Sequence, residues 1–427
     1  MGVRLAVASG PVHATVEVPG SKSVANRALV CAALADGMSL LHGLPGGDDT
    51  EAMLAGLERL GVRIDRLNGT EIAVGGSSSI GGGVEVDARL AGTTSRFLTA
   101  VAALGERDTT ITGEAALRAR PMGDLHDALR ALGAEVTPLA DPGRLPVRVR
   151  RGAFAGGSVE MPGDVSSQFV TALMLVAPCL RNGLQVRLTT PLVSRPYVKM
   201  TAAVMATFGI EGIGVSDSLV SVEPGHYRPT ETTIEPDASS ASYPLALAAI
   251  CGGEVRVPGL TRDCSQGDVV IVDILGRMGC DVRFDGDGAV VSGEGALRGI
   301  DIDMADVSDL VPTVAAVAAF AESPTTITGV GFIRGKESDR IGDLVDGLRA
   351  LGVAAESLDD GLRVEPTTAA ERHGAELSTH HDHRLAMAWS LLAARVDGIV
   401  IDQPDVVSKS WPTWWEVRSS LLATASR

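Results

Sequence analysis

Apolar residues recur along the chain in two kinds of segment. One kind is an amphipathic stretch that ends in an apolar residue, two further residues, a second apolar residue and a glycine, and a β-like run follows it. Because glycine readily adopts the left-handed conformation that ends a helix, this pattern predicts five helices. They end at Gly61, Gly133, Gly209, Gly279 and Gly352, which lie 72, 76, 70 and 73 residues apart.

The second kind of segment is rich in alanine, has a polar head and is followed by a short β-like run. Small apolar side chains on every face indicate a helix that is buried on all sides. Six such helices are predicted, and they begin near Lys22, Thr94, Ser167, Ser240, Leu310 and His383.

A short repeat sets the period of these segments. The pentapeptide Thr-Thr-Ile-Thr-Gly at 109–113 recurs unchanged at 325–329, which is 216 residues or three periods later. Each period reads as strand, helix, strand, helix and two strands. The sequence therefore predicts an α/β fold of six βαβαββ units, arranged as two domains of three units each. Since the first kind of helix occurs five times and the second six times, one unit is incomplete, and we expect the N-terminal strand to complete a C-terminal unit.

The composition favours more than one domain with closely packed elements. The chain has 427 residues, of which 45% are hydrophobic but only 7 are Phe, 4 Trp and 3 Tyr, so small side chains fill the interior. We expect Trp411, Trp414 and Trp415 to pack in the core. The five cysteines form no Cys-x-x-Cys pair, which favours a reducing compartment and no disulfides.

The net charge of -16 argues against binding to nucleic acid or to an anionic membrane, because both need a broad basic face. Small anionic molecules remain possible, since a pocket needs only a few local cations. The N-terminus lacks the apolar core of a signal peptide, and no uninterrupted apolar run reaches the roughly 18 residues of a membrane helix. We therefore expect a soluble, cytoplasmic protein.

The predicted Ala-rich helices carry basic residues at their N-terminal ends. Lys22, Arg96 and Arg384 lie there, although the positive end of a helix dipole favours acidic residues by about 0.3–1 kcal/mol each. An anion bound at these ends would satisfy both the free N–H groups and the cations. Capping explains the neighbouring serines and threonines but not the cations. Lys336 and Arg340 would share a face if helical, although a solvated, salt-bridged turn fits the bare sequence equally well.

Ten motifs, spread over the whole chain, are individually weak but specific in their order and spacing. They are Val-Pro-Gly-Ser-Lys-Ser at 18–23, Asn-Arg-Ala-Leu at 26–29, Leu-Ala-Gly-Thr at 90–93, Arg-Pro-Met-Gly-Asp-Leu at 120–125, Ser-Ser-Gln-Phe at 166–169, Ser-Arg-Pro-Tyr at 194–197, Asp-Ala-Ser-Ser-Ala at 237–241, Lys-Glu-Ser-Asp-Arg at 336–340, Asp-His-Arg at 382–384, and Lys409. This set resembles the 5-enolpyruvylshikimate-3-phosphate synthase family.

The resemblance implies the enolpyruvyl transferase fold, a two-domain inside-out α/β barrel of six βαβαββ repeats. It places residues 1–18 and 235–427 in a lower domain and residues 19–234 in an upper domain. The heads of the six Ala-rich helices are then expected to face an interdomain cleft that closes on substrate. By analogy with the family we expect a monomer that binds no metal and needs no cofactor.

The resemblance also implies an activity, which is transfer of the enolpyruvyl group of phosphoenolpyruvate to the 5-hydroxyl of shikimate 3-phosphate, in aromatic amino acid biosynthesis. The reaction proceeds by addition and elimination through a tetrahedral intermediate and releases phosphate. By analogy Asp309 is the base for the hydroxyl, Glu337 exchanges a proton at carbon, and Lys22 assists at the phosphate.

The family's binding residues transfer to this sequence by position. For phosphoenolpyruvate they are Lys22, Gly92, Arg120, Gln168, Arg340, Arg384 and Lys409. For shikimate 3-phosphate they are Lys22, Ser23, Arg27, Ser166, Ser167, Gln168, Ser194, Tyr197, Asp309 and Lys336.

Two positions depart from the family pattern. The family often has Asn where Leu90 stands, and a polar residue where Phe332 stands, so a substrate hydrogen bond is absent or supplied elsewhere. Gly92 is the small residue beside phosphoenolpyruvate in enzymes that glyphosate inhibits. Sensitivity to glyphosate is therefore a hypothesis, with Leu90 and Phe97 as altered neighbours.

Three alternatives remain. A UDP-N-acetylglucosamine enolpyruvyl transferase shares the fold and the donor, but its loop cysteine is absent around 118–121. An RNA 3′-phosphate cyclase is built from related repeats, but an acidic chain without a nucleotide signature argues against it. A non-catalytic anion-binding relative would not need Asp309 and Glu337 beside the basic residues.

Overall fold

A computed structural model describes residues 2–424 of the chain, which form two compact units. The central unit contains residues Gly20–Ile234. The terminal unit contains residues 2–19 and 235–424, so it is built from both ends of the chain. Each unit has its own hydrophobic core.

Six central helices carry the Ala-rich segments, and each begins within two residues of its predicted start. Their first turns contain no acidic residue. Nearly every side chain beyond the first turn is buried, because alanine and other small residues let neighbouring elements approach closely. The central helices are Lys22–Leu34, Gly92–Ala102, Ser167–Val176, Ala238–Cys251, Val311–Ala318 and His383–Leu392.

Five amphipathic helices match the first kind of segment predicted from the sequence. Each is followed by its glycine in the left-handed region, with φ between +78° and +109°, so the predicted helix ends are confirmed. These helices are Asp48–Arg59, Gly123–Ala131, Arg195–Thr207, Ile271–Arg277 and Arg340–Ala350. The remaining helices are Ala115–Arg118 and Trp414–Thr424, with 3₁₀ helices at Ala177–Cys179, Gly267–Val270, Ser308–Leu310, Gly331–Gly335 and Pro404–Lys409.

The central unit contains three four-stranded sheets. In each sheet two strands are parallel, and an antiparallel hairpin completes the sheet. In spatial order the first sheet is Glu231–Thr233, Gly37–His42, Ile72–Gly76 and Arg63–Arg66; the second is Glu85–Asp87, Thr109–Thr112, Val147–Arg150 and Glu135–Pro138; the third is Gly157–Met161, Leu184–Leu188, Leu219–Val222 and Ile213–Val215.

The terminal unit repeats this arrangement twice and ends with a smaller sheet. In spatial order its sheets are Asp281–Asp285, Gly288–Gly293, Gly253–Pro258 and Val12–Thr15; then Asp301–Asp303, Thr325–Thr328, Gly361–Val364 and Ala355–Leu358; then Val3–Arg4, Val400–Ile401 and Glu376–Leu377. The described residues thus form six sheets, one for each predicted repeat.

The repeated pentapeptide occupies the same place in both units. Ile111 pairs with Val86 in a parallel ladder, and Ile327 pairs with Ile302 in the same way. Both isoleucines are fully buried. The sequence identity at these two strands therefore reflects equivalent positions in two copies of one architecture.

The N-terminal segment completes sheets of the terminal unit, but it does so twice. Val12–Thr15 runs parallel to Gly253–Pro258, and Val3–Arg4 runs antiparallel to Val400–Ile401. We expected one N-terminal strand in one incomplete unit. The sixth repeat is the incomplete one, because Pro404–Lys409 and Trp414–Thr424 stand where an amphipathic helix and hairpin would be. None of the described helices is both long enough and apolar enough to cross a bilayer.

Candidate active site

The N-terminal ends of the central helices differ from those of the amphipathic helices. Four of the five amphipathic helices have acidic residues in the first turn, whereas the central helices have none. Side chains of Ser21, Ser166, Asp237 and Asp382 cap four central helices. Capping is thus confirmed at these four helix ends. The helix dipole disfavours the basic residues beside the caps, so these cations still need an acidic partner.

Lys22 opens the first central helix and contacts an acidic residue of the next helix. Its Nζ lies 2.8 Å from Oδ2 of Asp49, and the side chains are 15% and 5% exposed. The backbone carbonyl of Asp49 also accepts a hydrogen bond of 3.3 Å from Oγ1 of Thr94. Asp49 therefore fixes the Lys22 ammonium against the second central helix.

Two guanidinium groups converge on Gly92, the first residue of the second central helix. A Cβ atom at Gly92 would lie 2.5 Å from Nη1 of Arg96 and 2.7 Å from Nη1 of Arg120. Nη2 of Arg96 donates to the carbonyl of Pro121 at 3.4 Å, next to Arg120 in the chain. Glycine leaves room for both cations at a helix N-terminus that no side chain caps.

Arg27 is buried among neutral groups. It donates to the carbonyl oxygens of Ser23 at 2.7 Å and Tyr197 at 3.2 Å, and to Oγ1 of Thr201 at 2.8 Å. Its guanidinium lies 5.4 Å from the ring centre of Phe97. Burial lowers the pKa of Arg27 to about 10. The contacts resolved in the described residues include no carboxylate for it, so this cation favours an anionic ligand nearby.

The third central helix supplies neutral groups. Ser166 caps it by accepting a 3.3 Å hydrogen bond from the backbone N–H of Gln168, and Ser167 is buried. The buried Oε1 of Gln168 has no hydrogen-bond partner within residues 2–424. Ser194 immediately precedes the helix Arg195–Thr207, which contains Tyr197. The φ angle of Ser194 is +53°, and the residue is 4% exposed. Hydroxyls and amides of this kind bind phosphate oxygens without changing the net charge.

Arg340 gathers three carboxylates in the terminal unit. Its Nη1 lies 2.9 Å from Oδ1 of Asp309, its Nη2 3.0 Å from Oε2 of Glu337, and its Nε 2.7 Å from Oδ2 of Asp382. Arg340 is only 1% exposed. Burial alone would lower the pKa of Arg340, but Asp382, Glu337 and Asp309 together raise it above its usual range. The guanidinium therefore stays charged and fixes all three carboxylates.

Asp309 is held in its ionised form. It lies in the 3₁₀ turn before a central helix, and it accepts a 2.7 Å contact from Nη2 of Arg384 in addition to that from Arg340. Burial alone would raise the pKa of Asp309, but Arg384, Lys336 and Arg340 hold it well below its usual range. The helix that follows, Val311–Ala318, has no side-chain cap hydrogen bond.

Glu337 connects two cations. Its Oε1 lies 3.0 Å from Nζ of Lys409, while Oε2 faces Arg340. Nζ of Lys336 lies 5.6 Å from the ring centre of Phe332, so this side chain gives Lys336 a cation–π contact. Lys336 follows the 3₁₀ helix Gly331–Gly335, and Arg340 begins the next helix, so the two do not share one helical face.

A second buried carboxyl group lies near Asp309. Asp268 is 3% exposed and accepts a short hydrogen bond from the hydroxyl of Ser239, at the start of a central helix. Burial, together with the charge of Asp309, raises the pKa of Asp268 to about 6. The terminal unit thus pairs an ionised carboxylate with a carboxyl group that titrates near neutral pH.

The structure groups the predicted residues within each unit. The central unit holds Lys22, Ser23, Arg27, Gly92, Arg120, Ser166, Ser167, Gln168, Ser194 and Tyr197. The terminal unit holds Asp309, Lys336, Glu337, Arg340, Arg384 and Lys409, linked by the ion pairs above. None of these cations is fully exposed to water.

Four residues with strong contacts were absent from the predicted site. Asp382 and Arg96 belong to the motifs and helix heads noted above, so their proximity to predicted cations was an available signal. Asp49 reads as an ordinary acidic residue of a helix first turn, and Asp268 as an ordinary loop aspartate. Only the tertiary contacts distinguish the last two.

Comparison with known proteins identifies the family of the chain. The family model for EPSP synthase (3-phosphoshikimate 1-carboxyvinyltransferase) matches residues 7–417. The chain is 42% identical over 409 residues to a 3-phosphoshikimate 1-carboxyvinyltransferase of Nostoc punctiforme, with 95% of each chain covered. It is 42% identical over 412 residues to the protein of that name from Methanoculleus marisnigri, with 96% of each covered.

Solved structures show the same fold. An EPSP synthase from Acinetobacter baumannii superposes with a TM-score of 0.82 at 26% identity, covering 99% of this chain and 97% of that one. The enolpyruvyl transferase NikO from Streptomyces tendae superposes with a TM-score of 0.75 at 19% identity, covering 99% and 98%, and supports the fold alone. By family match, sequence identity and structure, the chain belongs to the EPSP synthase family.

Proposed function

We propose that this chain transfers the 1-carboxyvinyl group of phosphoenolpyruvate to the 5-hydroxyl of shikimate 3-phosphate and releases phosphate. The observation that carries the proposal is the set of contacts around Arg340. This guanidinium fixes both Asp309 and Glu337, the two groups that such a reaction needs for proton transfer. The basic residues at the helix N-termini supply the charge that two anionic substrates require.

We propose that cations of both units contribute to binding. Lys22, Arg120, Arg340, Arg384 and Lys409, with Gly92 and Gln168, serve phosphoenolpyruvate. Guanidinium groups suit it, because carboxylate and phosphate both accept paired N–H donors. Ser23, Ser166, Ser167 and Lys336 serve the phosphate of shikimate 3-phosphate, together with Gln168 and Lys22. Arg27, Ser194, Tyr197 and Asp309 serve its ring and carboxylate.

The base role of Asp309 follows from charge compensation. In the structure its pKa is held low by Arg384, Lys336 and Arg340, which makes it a weak proton acceptor. Substrate phosphate and carboxylate groups that bind these cations neutralise part of their field and raise the pKa of Asp309. Substrate binding therefore strengthens the base at the moment when the 5-hydroxyl is present.

Glu337 and Lys22 complete the chemistry. The 5-hydroxyl attacks C2 of phosphoenolpyruvate while C3 gains a proton, and Glu337 exchanges protons at that carbon. Lys409 and Arg340 hold Glu337 in place from two sides. Lys22 stabilises the phosphate as the tetrahedral intermediate collapses and the C–O bond to phosphate breaks.

The activity is tested by phosphate release. We expect release that requires both phosphoenolpyruvate and shikimate 3-phosphate, and none when UDP-N-acetylglucosamine replaces the shikimate. A base-quenched single turnover should contain the tetrahedral intermediate, whose ketal phosphate is labile in acid. Activity with the UDP-sugar instead, or binding of both anions without turnover, would reject the proposal.

Three further properties stay predictions. We propose a cytoplasmic enzyme, because the five cysteines are all free. We propose a monomer, which light scattering of the purified chain tests. We also propose inhibition by glyphosate because Gly92 is present, and tolerance of millimolar glyphosate would contradict this.

A further inference from the structure

A groove separates the N-terminal segment from the last helix of the terminal unit. Its volume is about 480 Å³, and its lining includes Val3, Val7, Trp415, Arg418 and Leu422. This volume lies within the roughly 300–1,000 Å³ of typical small-molecule pockets. None of the residues assigned to the proposed active site lines the groove.

Arg418 is a charged residue in the lining of this groove. It is 2% exposed, and it donates from Nε to the carbonyl of Ser390 at 3.0 Å and from Nη2 to the carbonyl of Ala6 at 2.8 Å. Its third nitrogen, Nη1, has no hydrogen-bond partner in the described part of the chain. Burial lowers the pKa of Arg418 to about 10. The groove lining thus includes a buried cation that two carbonyls hold and for which the described residues supply no carboxylate.

A neighbouring arginine does not play the same part. Arg4 also lines the groove, but both oxygens of Asp397 accept hydrogen bonds from its Nη2 at 2.9 Å. That pair is exposed, with side-chain exposures of 64% and 70%. Arg418 is therefore the cation that is available to an anion in the groove.

The walls of the groove are apolar. Val3 and Val7 are each 42% exposed, so both side chains present apolar surface. Trp415 donates its indole N–H to the carbonyl of Pro404 at 2.9 Å, so the ring can offer only its apolar surface to the groove. We expected Trp415 in the core with Trp411 and Trp414, but only the latter two are buried.

We propose that this groove binds a small carboxylate with an aromatic or branched apolar body. The carboxylate receives hydrogen bonds from Nη1 of Arg418, and the body packs against Val3, Val7 and Trp415. Charge complementarity favours a carboxylate, because a buried guanidinium without a counter-charge stabilises an anion that binds beside it. The apolar walls select the body.

Phenylacetate and its neutral isostere phenylacetamide test the proposal on the full chain by isothermal titration and ligand-observed NMR. We expect phenylacetate to bind at least tenfold more tightly than phenylacetamide. Saturating phosphoenolpyruvate with shikimate 3-phosphate should not displace it. Equal binding of the two probes, or displacement by the substrates, would overturn the proposal.

A matched pair of variants locates the site without disturbing Arg418. Val7→Asp places a negative charge in the groove, and Val7→Asn has the same shape without the charge. Since Val7 is exposed, both variants should fold and keep wild-type turnover. We expect Val7→Asp to weaken phenylacetate binding at least tenfold and Val7→Asn less than threefold. Equal effects of the two variants would contradict an anion in the groove.

Residues 425–427 are a competing occupant, and their removal separates the two cases. An unchanged phenylacetate affinity supports a groove that serves a separate ligand. Affinity that rises at least tenfold on truncation shows that these residues compete for the groove and overturns the proposal.

Discussion

Nη1 of Arg340 lies 2.9 Å from Oδ1 of Asp309, across 31 residues of sequence. The same guanidinium contacts Glu337 and Asp382, so one buried cation positions the proposed base and the proposed acid together. Both proton-transfer groups therefore depend on the geometry of a single side chain. This arrangement makes Arg340 a more sensitive position than its proposed role as a substrate ligand alone would imply.

Arg340→Lys tests that dependence. A lysine ammonium cannot contact three carboxylates in the directions that the guanidinium fork reaches. We expect kcat to fall at least 100-fold and the free energy of unfolding to drop by about 3 kcal/mol, as for other disrupted buried ion pairs. Steady-state kinetics and urea unfolding measure the two effects. Arg349→Lys, at an exposed position of the same helix, should change neither.

Asp309→Asn tests the base. The amide keeps the shape of the side chain but cannot accept the hydroxyl proton, so we expect kcat to fall by about 10²–10⁴-fold. The KM values should change much less, because the substrate cations remain. Asp301→Asn, an exposed carboxylate on the preceding strand, is the control. A kcat within threefold of the wild type would remove Asp309 from the mechanism.

Gly92→Ala tests the space between two cations. The added methyl group would lie 2.5 Å from Arg96 and 2.7 Å from Arg120, so at least one guanidinium must move. We expect the KM for phosphoenolpyruvate to rise at least tenfold while the KM for shikimate 3-phosphate changes little. Gly69→Ala has open space around its Cβ and should leave both values unchanged. Equal changes in the two KM values would indicate a general disturbance of the fold.

Asp49→Asn tests a positioning residue outside the predicted site. Asp49 contacts Lys22 at 2.8 Å and is nearly buried, so its loss frees the ammonium to leave its position. A displacement of about 1 Å in a catalytic group can lower the rate by about 10²-fold. We expect kcat to fall 10–100-fold with a KM change below threefold. The exposed Glu58→Gln on the same helix is the control, and a pure KM effect would contradict a positioning role.

The sequence predicted the repeat well because the signals that define each repeat are local. Helix ends such as Gly61 and Gly352 require a positive φ, and the small side chains of the central helices permit burial on every side. Both signals reside in short stretches of chain. The pairing of Val12–Thr15 with Gly253–Pro258 joins residues about 240 positions apart. The sequence indicated such a pairing only because it predicted five helices of one kind and six of the other.

The candidate site was predicted in part for the same reason. Its cations stand out, because Lys22 and Arg384 occupy helix ends that disfavour positive charge. The carboxylates that hold them do not stand out, since Asp49 lies in a helix first turn, where acidic residues are common. Asp268 became visible only through its burial beside Ser239 and Asp309. A motif marks the residues that are proposed to bind substrate better than the residues that support them.

Asp268→Asn tests how the site affects stability. Burial and Asp309 raise the pKa of Asp268 to about 6 in the folded chain, against about 3.9 when unfolded. Between these values the folded state binds more protons than the unfolded state, so this group makes stability fall as pH rises from about 4 to about 6. At pH 7 the ionised carboxylate destabilises the fold by about 1–3 kcal/mol. Asparagine has no charge and can still accept the hydrogen bond from Ser239.

We therefore expect Asp268→Asn to be more stable than the wild type at pH 7 and to lose that advantage below about pH 4. Urea unfolding at pH 4, 5, 6 and 7 measures the difference, and Asp263→Asn, at an exposed loop position, should follow the wild type at every pH. The stabilised variant should also lose activity. The negative charge of Asp268 counteracts the cations that hold the pKa of Asp309 low, so its removal makes Asp309 a weaker base. A variant that is destabilised equally at pH 4 and pH 7 would show that the Ser239 hydrogen bond outweighs the buried charge.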